Sequence, residues 1–322
     1  MATCSFRVNG NSGAVVDRRT FIRNSSAAAI LPWNALNVNK TETVLSEKLV
    51  DAHVHVWTPN TRSYPLAKGY DLSSMRPASF TPAELMVHAK PVGVNRVVLI
   101  QMSYYGFDNS YMLDVIEKHG DVYSGVAVID EDNQPVPVMK ELKQRGVRGF
   151  RIQPQGRKPD QWLGGQGMKS MWKTAADENL AMCHLINPGF LPSVERMCDQ
   201  FKSTPVVIDH FARIGVDGQL PPSQIDNLCR LSRFEKVSVK VSAYYALGKK
   251  KAPYQDLGPM IQRLLAEFGA NRLMWGSDCP FQVGDGHDYA PSINLVKTGL
   301  DFLRDQDKHW ILRKTAEKVF FS

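Results

Sequence analysis

Short apolar runs alternate with longer, helix-like segments from Leu49 to the end of the chain. Several of these runs are almost continuous in Val, Ile and Leu, which is typical of parallel strands buried on both faces. The segments between them repeat apolar residues at helical spacing, as Met260, Ile261 and Leu264 do in one of them. The predicted strands are 49–57, 96–102, 122–129, 147–153, 180–186, 205–212, 236–243 and 272–278.

Eight strand–helix units within about 270 residues predict an α/β protein of the (β/α)8 type, a TIM barrel. A doubly wound open sheet is the alternative, and it would place a glycine-rich phosphate-binding turn after the first strand. The first strand is instead followed by Thr-Pro-Asn-Thr, without a GxGxxG motif. We therefore expect one barrel domain over 46–322. Segment 57–81 has no clear helical pattern and is predicted to form a long loop over the barrel mouth, where it could serve as a lid.

The first 45 residues have a different composition. Residues 1–40 carry five basic side chains and one acidic one, so more than half of the formal net charge of +7 comes from this segment. Arg18-Arg19 precedes a short apolar stretch, Ala27–Leu31, which is similar to a twin-arginine signal. We interpret 1–45 as a disordered transit or targeting segment, with the chloroplast as the expected destination and the cytoplasm as the alternative.

The composition of the remaining chain excludes several classes of protein. Its longest basic run is Lys249-Lys250-Lys251, too short to indicate a nucleic-acid surface. No run of about 18 apolar residues indicates a membrane-spanning helix. The five cysteines of the whole chain lack CxxC pairing, which argues against a disulfide scaffold or a zinc ribbon. The expected partner is a small-molecule substrate, and the oligomeric state stays open.

Histidines and one aspartate fall at the ends of predicted strands. His53 and His55 alternate on the first strand, so their side chains share a face and can converge on one divalent metal. His184 and His210 lie on the fifth and sixth predicted strands, and Asp278 closes the eighth. Such ends meet at the catalytic face of a barrel. The alternative is a buried polar network without metal, because buried imidazoles and carboxylates must be paired.

Four motifs in this order resemble the amidohydrolase superfamily, in particular its amidohydrolase-2 branch of sugar lactonases and 2-pyrone-4,6-dicarboxylate lactonases. They are DAHVHVW, VVIDHFARI, VKVSAYY and RLMWGSDCPF, within about 49–322. The resemblance implies His53, His55, His184 and Asp278 at a metal centre, with His210 beside it. It also implies a hydrolytic water activated by Asp278, by the metal, or by both.

The sequence also departs from the family pattern. Many relatives bridge two metals with a modified lysine on the fourth strand, where this chain has Val147-Arg-Gly-Phe-Arg-Ile-Gln153. We therefore expect at most one divalent metal, zinc or manganese, with a metal-free site as the alternative.

Cations and tyrosines near the same strand ends suggest how substrate binds. Arg151, Arg213 and Lys240 predict an anionic ligand, such as a ring bearing a carboxylate. Tyr104 and Tyr244 are the predicted hydroxyl donors, although each has a tyrosine neighbour and adjacent side chains cannot both face the site.

The favoured function is a hydrolase that opens a lactone or related cyclic ester, with Asp278 and His210 as catalytic residues. A mononuclear metal-dependent decarboxylase is the enzymatic alternative, and a non-catalytic binding barrel is the second.

Overall fold

The computed structural model describes residues 48–159 and 161–322. Eight strands form one parallel sheet in which each strand pairs with the next along the chain. The strands are β1 Leu49–Val54, β2 Val94–Ile100, β3 Tyr123–Ala127, β4 Val147–Ile152, β5 Ala181–His184, β6 Val206–Ile208, β7 Val237–Ser242 and β8 Leu273–Gly276. The predicted (β/α)8 barrel is therefore confirmed. The predicted targeting segment, 1–45, lies outside the described residues.

Helices connect consecutive strands and cover the outside of the barrel. The α-helices of the described part are α1 Pro82–Ala89, α2 Ser110–His119, α3 Pro135–Gln144, α4 Gln166–Glu178, α5 Leu191–Gln200, α6 Pro222–Cys229, α7 Gly258–Phe268, α8 Tyr289–Asn294, α9 Asp305–His309 and α10 Thr315–Phe320. Within the described residues, no helix combines the length and hydropathy that a membrane crossing requires.

The barrel closes where β1 meets the chain just after β8. The amide of Asp278 donates to the carbonyl of His53 at 2.8 Å, and the amide of His55 donates to the carbonyl of Cys279 at 2.8 Å. Gly276 permits this approach, because a Cβ at that position would lie 2.8 Å from the Cβ of His53. Closure of the barrel therefore places Asp278 directly beside the two histidines of β1.

A bulge in β1 turns both histidines toward the mouth. Asp51 pairs with Val97 and Val54 with Leu99, so three steps along β1 match two along β2. Such a bulge re-aims the side chains that follow it. The Asp51 carboxylate holds the bulge to β8, because its Oδ1 accepts from the amides of His53 at 3.1 Å and Ser277 at 2.8 Å.

The interior of the barrel below the mouth is apolar. Small and branched side chains from the strands form a buried cluster, closed by Phe320 of α10. Its strand members are Val50, Ala52, Val98, Ile100, Val126, Ala181, Cys183, Val207 and Met274. Since residues alternate along each strand, this set also shows which positions face inward.

The loop after β1 is anchored along its length. Trp57 is fully buried, and its indole N–H donates to the carbonyl of Pro77 at 2.9 Å. Trp57 also pairs with Phe80 in an antiparallel bridge, and the hydroxyl of Tyr64 donates to Asp114 at 2.8 Å. As expected, the segment contains no α-helix and only a 3-10 turn at Leu72–Ser74. Its predicted role as a lid stays a prediction.

Candidate active site at the barrel mouth

Asp278 lies among three imidazoles. Its Oδ1 is 3.5 Å from His53 Nε2 and 3.4 Å from His55 Nε2, and its Oδ2 is 3.8 Å from His210 Nε2. The structure thus brings together four of the predicted site residues. All four are buried, with no more than 6 % of each residue exposed.

His210 reaches this group through a left-handed turn rather than a strand. β6 ends at Ile208, earlier than the predicted 205–212, and His210, Phe211, Ala212 and Arg213 follow with φ between 51° and 59°. Four consecutive non-glycine residues in this region are strained, since each costs about 1–2 kcal/mol. His210 Nδ1 lies 2.8 Å from the hydroxyl of Ser242, which fixes the ring at the end of the turn.

Tyr245 completes the surroundings of the Asp278 carboxylate. Its hydroxyl donates to Asp278 Oδ2 at 2.7 Å. Burial alone would raise the pKa of Asp278, but the neighbouring imidazoles of His210, His55 and His53 favour the ionised carboxylate and hold the pKa well below its usual range. Asp278 is therefore ionised at neutral pH and can accept a proton.

A layer of buried charge lies beneath these residues. Asp209 is fully buried, with Lys240 Nζ 3.1 Å from its Oδ1 and Arg151 Nη2 3.4 Å from its Oδ2. Burial opposes ionisation of Asp209, but the neighbouring Lys240, His53 and Arg151 favour its ionised form and keep its pKa well below the usual value. Our sequence interpretation did not assign Asp209, although it alternates with the inward-facing Val207 and this spacing could have identified it.

Both ring nitrogens of His53 face a cationic donor. Arg151 Nη2 lies 2.8 Å from His53 Nε2, and because a guanidinium only donates, Nε2 must accept. Nδ1 lies 3.3 Å from Lys240 Nζ, which also only donates, and 3.5 Å from Asp209 Oδ1. Burial and the neighbouring charges of Lys240 and His210 lower the pKa of His53 well below its ordinary value, which is consistent with a neutral ring.

One group of described residues could hold a metal ion. His53, His210 and Asp278 each offer a ligand atom, and these atoms lie within 4.8 Å of one another. Two imidazoles and a carboxylate fit one divalent zinc or manganese ion in ligand type, with coordination positions left for water. The lone pair of His53 Nε2 already accepts from Arg151, however, so an ion ligated by that nitrogen would compete with Arg151.

His184 is not brought to this group. Arg151 pairs with Cys183 and Ile152 with His184, so His184 points outward if Arg151 points inward. Its ring packs against Trp162 and Trp172, with centroids 5.5 and 5.4 Å away. Burial lowers the pKa of His184 to about 3. The ligand role implied by the resemblance therefore lacks geometric support in this structure.

The remaining predicted residues divide between the cavity and its surroundings. Arg151 and Arg213 line a cavity of about 500 Å³ above Asp278. Lys240 is fully buried beneath it, paired with Asp209. Tyr244 is also fully buried and packs against Phe211 and Tyr254, whereas its neighbour Tyr245 lines the cavity.

Tyr104 lies behind the cavity wall. Its ring packs between Trp57 and Tyr70, with centroids 5.1 and 5.5 Å away, and its hydroxyl accepts from the amide of Arg76 at 3.4 Å. Of the tyrosines that follow β2 and β7, the one that lines the cavity is thus Tyr245. Side chains alternate between the two faces along β7, but the strand ends at Ser242 and Ala243 has a left-handed backbone. The alternation therefore could not show which of the two tyrosines faces the cavity.

Three known proteins are similar in sequence to most of this chain. The chain is 27 % identical to 4-sulfomuconolactone hydrolase of Rhizobium radiobacter over 233 residues, covering 71 % of this chain and 75 % of the relative. It is 26 % identical to L-fucono-1,5-lactonase of Burkholderia ambifaria over 246 residues, covering 74 % and 82 %. It is 26 % identical to 2-pyrone-4,6-dicarboxylate hydrolase of Comamonas testosteroni over 268 residues, covering 78 % and 82 %.

A solved structure confirms the fold. An amidohydrolase from Burkholderia multivorans with bound zinc superposes with a TM-score of 0.73 at 18 % identity, covering 85 % of this chain and 99 % of that one. The model of the amidohydrolase family matches residues 50–321, nearly the whole described chain. The resemblance drawn from the motifs is thus confirmed: this chain is a hydrolase that belongs to the amidohydrolase family.

Proposed function

We propose that this protein opens a lactone or related cyclic ester of a small molecule that carries a carboxylate. The observation that carries the proposal is an ionised Asp278 held among three histidines at the floor of a cavity that also contains arginines. Similarity to three lactone hydrolases over most of the chain supports the same reaction class.

Asp278 and His55 can together bind the attacking water. His55 Nδ1 lies 2.9 Å from the carbonyl of Ile100 and must donate to it, and its Nε2 lies 3.4 Å from Asp278 Oδ1, so one water can contact both atoms. A water bound to both atoms would have its oxygen free to attack the lactone carbonyl. Asp278 takes the proton as the carbon–oxygen bond forms, and its low pKa favours passing that proton to the leaving alkoxide when the ring bond breaks.

Arg151 can stabilise the charge that develops on the carbonyl oxygen. Its Nε is buried without a hydrogen-bond partner, while Nη2 is engaged with His53 and Asp209. A fixed guanidinium in a water-poor site stabilises a developing oxyanion without reorganising at the moment of reaction.

Arg213 is the better candidate for the carboxylate of the substrate. It lines the cavity, is exposed, and forms no ion pair in the part of the chain that the structure describes. Lys240 was a sequence-based candidate for this role, but its burial against Asp209 indicates that it positions Asp209 instead.

A divalent metal, if bound, would be held by His53, His210 and Asp278 and would polarise the carbonyl or activate the water. We expect no more than one ion per chain, since β4 offers an arginine where a bridging ligand would be needed. Elemental analysis of the purified protein tests this, and a stoichiometry near two would contradict it.

A panel of lactone acids, assayed before and after chelation, tests the proposed reaction. We expect ring opening to release a hydroxy acid, which titration with base detects, and no carbon dioxide. Release of carbon dioxide from an aromatic or dienoic acid, with no ring opening, would favour the decarboxylase alternative. Binding of these acids with no turnover of any kind would favour a non-catalytic barrel.

We also propose that 1–45 directs the chain to the chloroplast, on the basis of its acid-poor composition. We expect the accumulated protein to begin after about residue 40. Mass spectrometry of the native protein tests this, and a form that retains Met1 or Ala2 would contradict it.

A further inference from the structure

The entrance of the catalytic cavity is apolar, in contrast to its floor. Five large hydrophobic side chains are strongly exposed in the described part of the chain. Three of them, Tyr70, Phe107 and Val216, line this one cavity at 39 %, 53 % and 40 % exposure. We call these three residues the apolar rim. Leu72 and Val87, the other two, lie outside the cavity.

The backbone that carries the rim is firmly held, so the exposure of these side chains is not the result of a frayed loop. The carbonyl of Phe107 accepts from Asn109 Nδ2 at 2.9 Å, and Gln101 Nε2 donates to the next carbonyl, that of Asp108, at 2.6 Å. The amide of Val216 donates to the carbonyl of Arg213 at 3.3 Å.

Tyr70 is held in the same way from the loop after β1. Its amide donates to the carbonyl of Ala67 at 3.1 Å, and the amide of Ala67 donates to the carbonyl of Tyr104 at 2.7 Å. Its ring packs edge-on against Tyr104, with centroids 5.5 Å apart. One face of Tyr70 is therefore fixed against the protein while the other faces the cavity.

The polarity of the cavity changes with depth. Its floor is formed by buried polar groups, namely His55, His210 and Asp278, each no more than 6 % exposed. Its volume of about 500 Å³ lies within the ~300–1,000 Å³ of sites that enclose drug-sized ligands. A single lactone ring on the floor would leave the rim uncovered, and an exposed apolar patch continuous with a site indicates a binding surface.

We propose that the substrate carries a bulky apolar substituent, alkyl or aromatic, that lies against Tyr70, Phe107 and Val216 while its polar ring lies on the floor. This inference rests on the proposed lactone-opening function and specifies the class of lactone. Binding would remove the exposed faces of the rim from water, which is favourable in proportion to the apolar area covered. Arg213, next to Val216 on the same loop, would hold a carboxylate between the two zones.

Calorimetric binding of two open-chain carboxylates tests the rim without requiring turnover. The probes are butanoate and 4-phenylbutanoate, which share a carboxylate and differ by a phenyl group. We expect 4-phenylbutanoate to bind at least tenfold more tightly to the wild type, because a buried apolar group contributes strongly to affinity. Phe107→Ser and Val216→Ser should each reduce this ratio by threefold or more.

Leu72→Ser is the matched control, because Leu72 is equally apolar and 60 % exposed but lies outside the cavity. It should leave the ratio unchanged. Equal affinity for the two probes, binding of neither, or an equal loss in Leu72→Ser would overturn the proposal. A rim that instead mediates contact between copies would appear as a change of oligomeric state in Phe107→Ser by light scattering, and this outcome would also overturn it.

Turnover of a lactone acid with and without a phenyl substituent separates this inference from the proposed function. Ring opening of both at equal kcat/KM would support the proposed lactonase function but contradict the inference that the substrate carries an apolar substituent. Preferential binding of 4-phenylbutanoate without turnover of any lactone would support apolar binding at the rim but contradict the proposed lactonase function.

Discussion

The lower and upper halves of the barrel interior are built by the same strands but differ in nearly every physical respect. The lower half contains apolar side chains of modest size and is closed by Phe320. The upper half contains three histidines, two aspartates, an arginine and a lysine, all with few or no solvent contacts. The first half contributes hydrophobic stabilisation, whereas the second carries the cost of burying charge.

The two halves meet at one level of the barrel, where charged and apolar residues are neighbours. Arg151 pairs in register with Cys183, and Lys240 pairs with Met274. Lys240 Nζ also lies 5.2 Å from the centroid of Phe320. Asp209 forms ion pairs with both cations at this level, so the charged layer can lie directly on an apolar core. The upper half thus holds the groups that could carry out chemistry, whereas the lower half contributes hydrophobic stabilisation.

Asp278→Asn is expected to have the largest effect and tests whether the upper half carries the chemistry. An amide keeps the size of the side chain but cannot take a proton from water, so turnover should fall by about 10²–10⁴. The thermal unfolding curve should stay within a few degrees of the wild type. Steady-state kinetics and calorimetry on the same preparation measure both. Retained turnover would remove Asp278 from the mechanism.

Lys240→Met should instead reduce stability. Removing one partner of a buried ion pair leaves the other charge poorly compensated, and the expected loss in the free energy of unfolding is about 3–5 kcal/mol. Urea denaturation measures it. The double variant Lys240→Met/Asp209→Leu also removes the carboxylate that pairs with Arg151, so it should be at least as destabilised as Lys240→Met alone. A loss below about 1 kcal/mol in Lys240→Met would show that the charged layer does not depend on this pair.

His184 is a buried histidine that lies outside both halves of the barrel interior, and its burial should make stability depend on pH. Its pKa of about 3 lies below the unfolded value of ~6.5, so its contribution to stability is complete above pH 6.5 and is lost as the pH falls toward 3. His184→Phe should remove this part of the acid dependence, about 1.4 kcal/mol per pH unit in that window. Chemical denaturation at pH 7 and pH 5 measures the difference.

The exposed His88 provides the control for that experiment, since His88→Phe should leave the acid dependence of stability unchanged. If wild type and His184→Phe lose the same stability between pH 7 and pH 5, the ring of His184 is not held neutral by burial.

Ala212→Gly should have the smallest effect. Ala212 lies in the left-handed turn at φ 55°, where glycine relieves strain of about 1–2 kcal/mol but loses a buried methyl group. The net change in unfolding free energy should therefore be close to zero. Ala175→Gly, a buried alanine inside α4, has no strain to relieve and should lose about 1–2 kcal/mol. Equal losses in the two variants would show that the turn is not strained.

The fold and the centre of the site were accessible from sequence because each depends on local periodicity. Alternation along β1 predicted that His53 and His55 share a face, and the position of Asp278 after the last strand predicted its place at the mouth. His184 could not be oriented in the same way, because its direction depends on the register of β5 against β4. The sequence also contains no signal for the turn at His210, since four non-glycine residues there adopt a backbone that local preference disfavours.

The closure of the barrel has a consequence for how activity arises during folding. The two backbone hydrogen bonds that join His53 and His55 to Asp278 and Cys279 connect the first strand with the segment after the last one. Contacts between such distant parts of a chain form late, because their loop-closure entropy is large. A nascent chain that has not yet added β8 thus contains both histidines without Asp278 beside them, so any activity that depends on Asp278 requires the completed barrel.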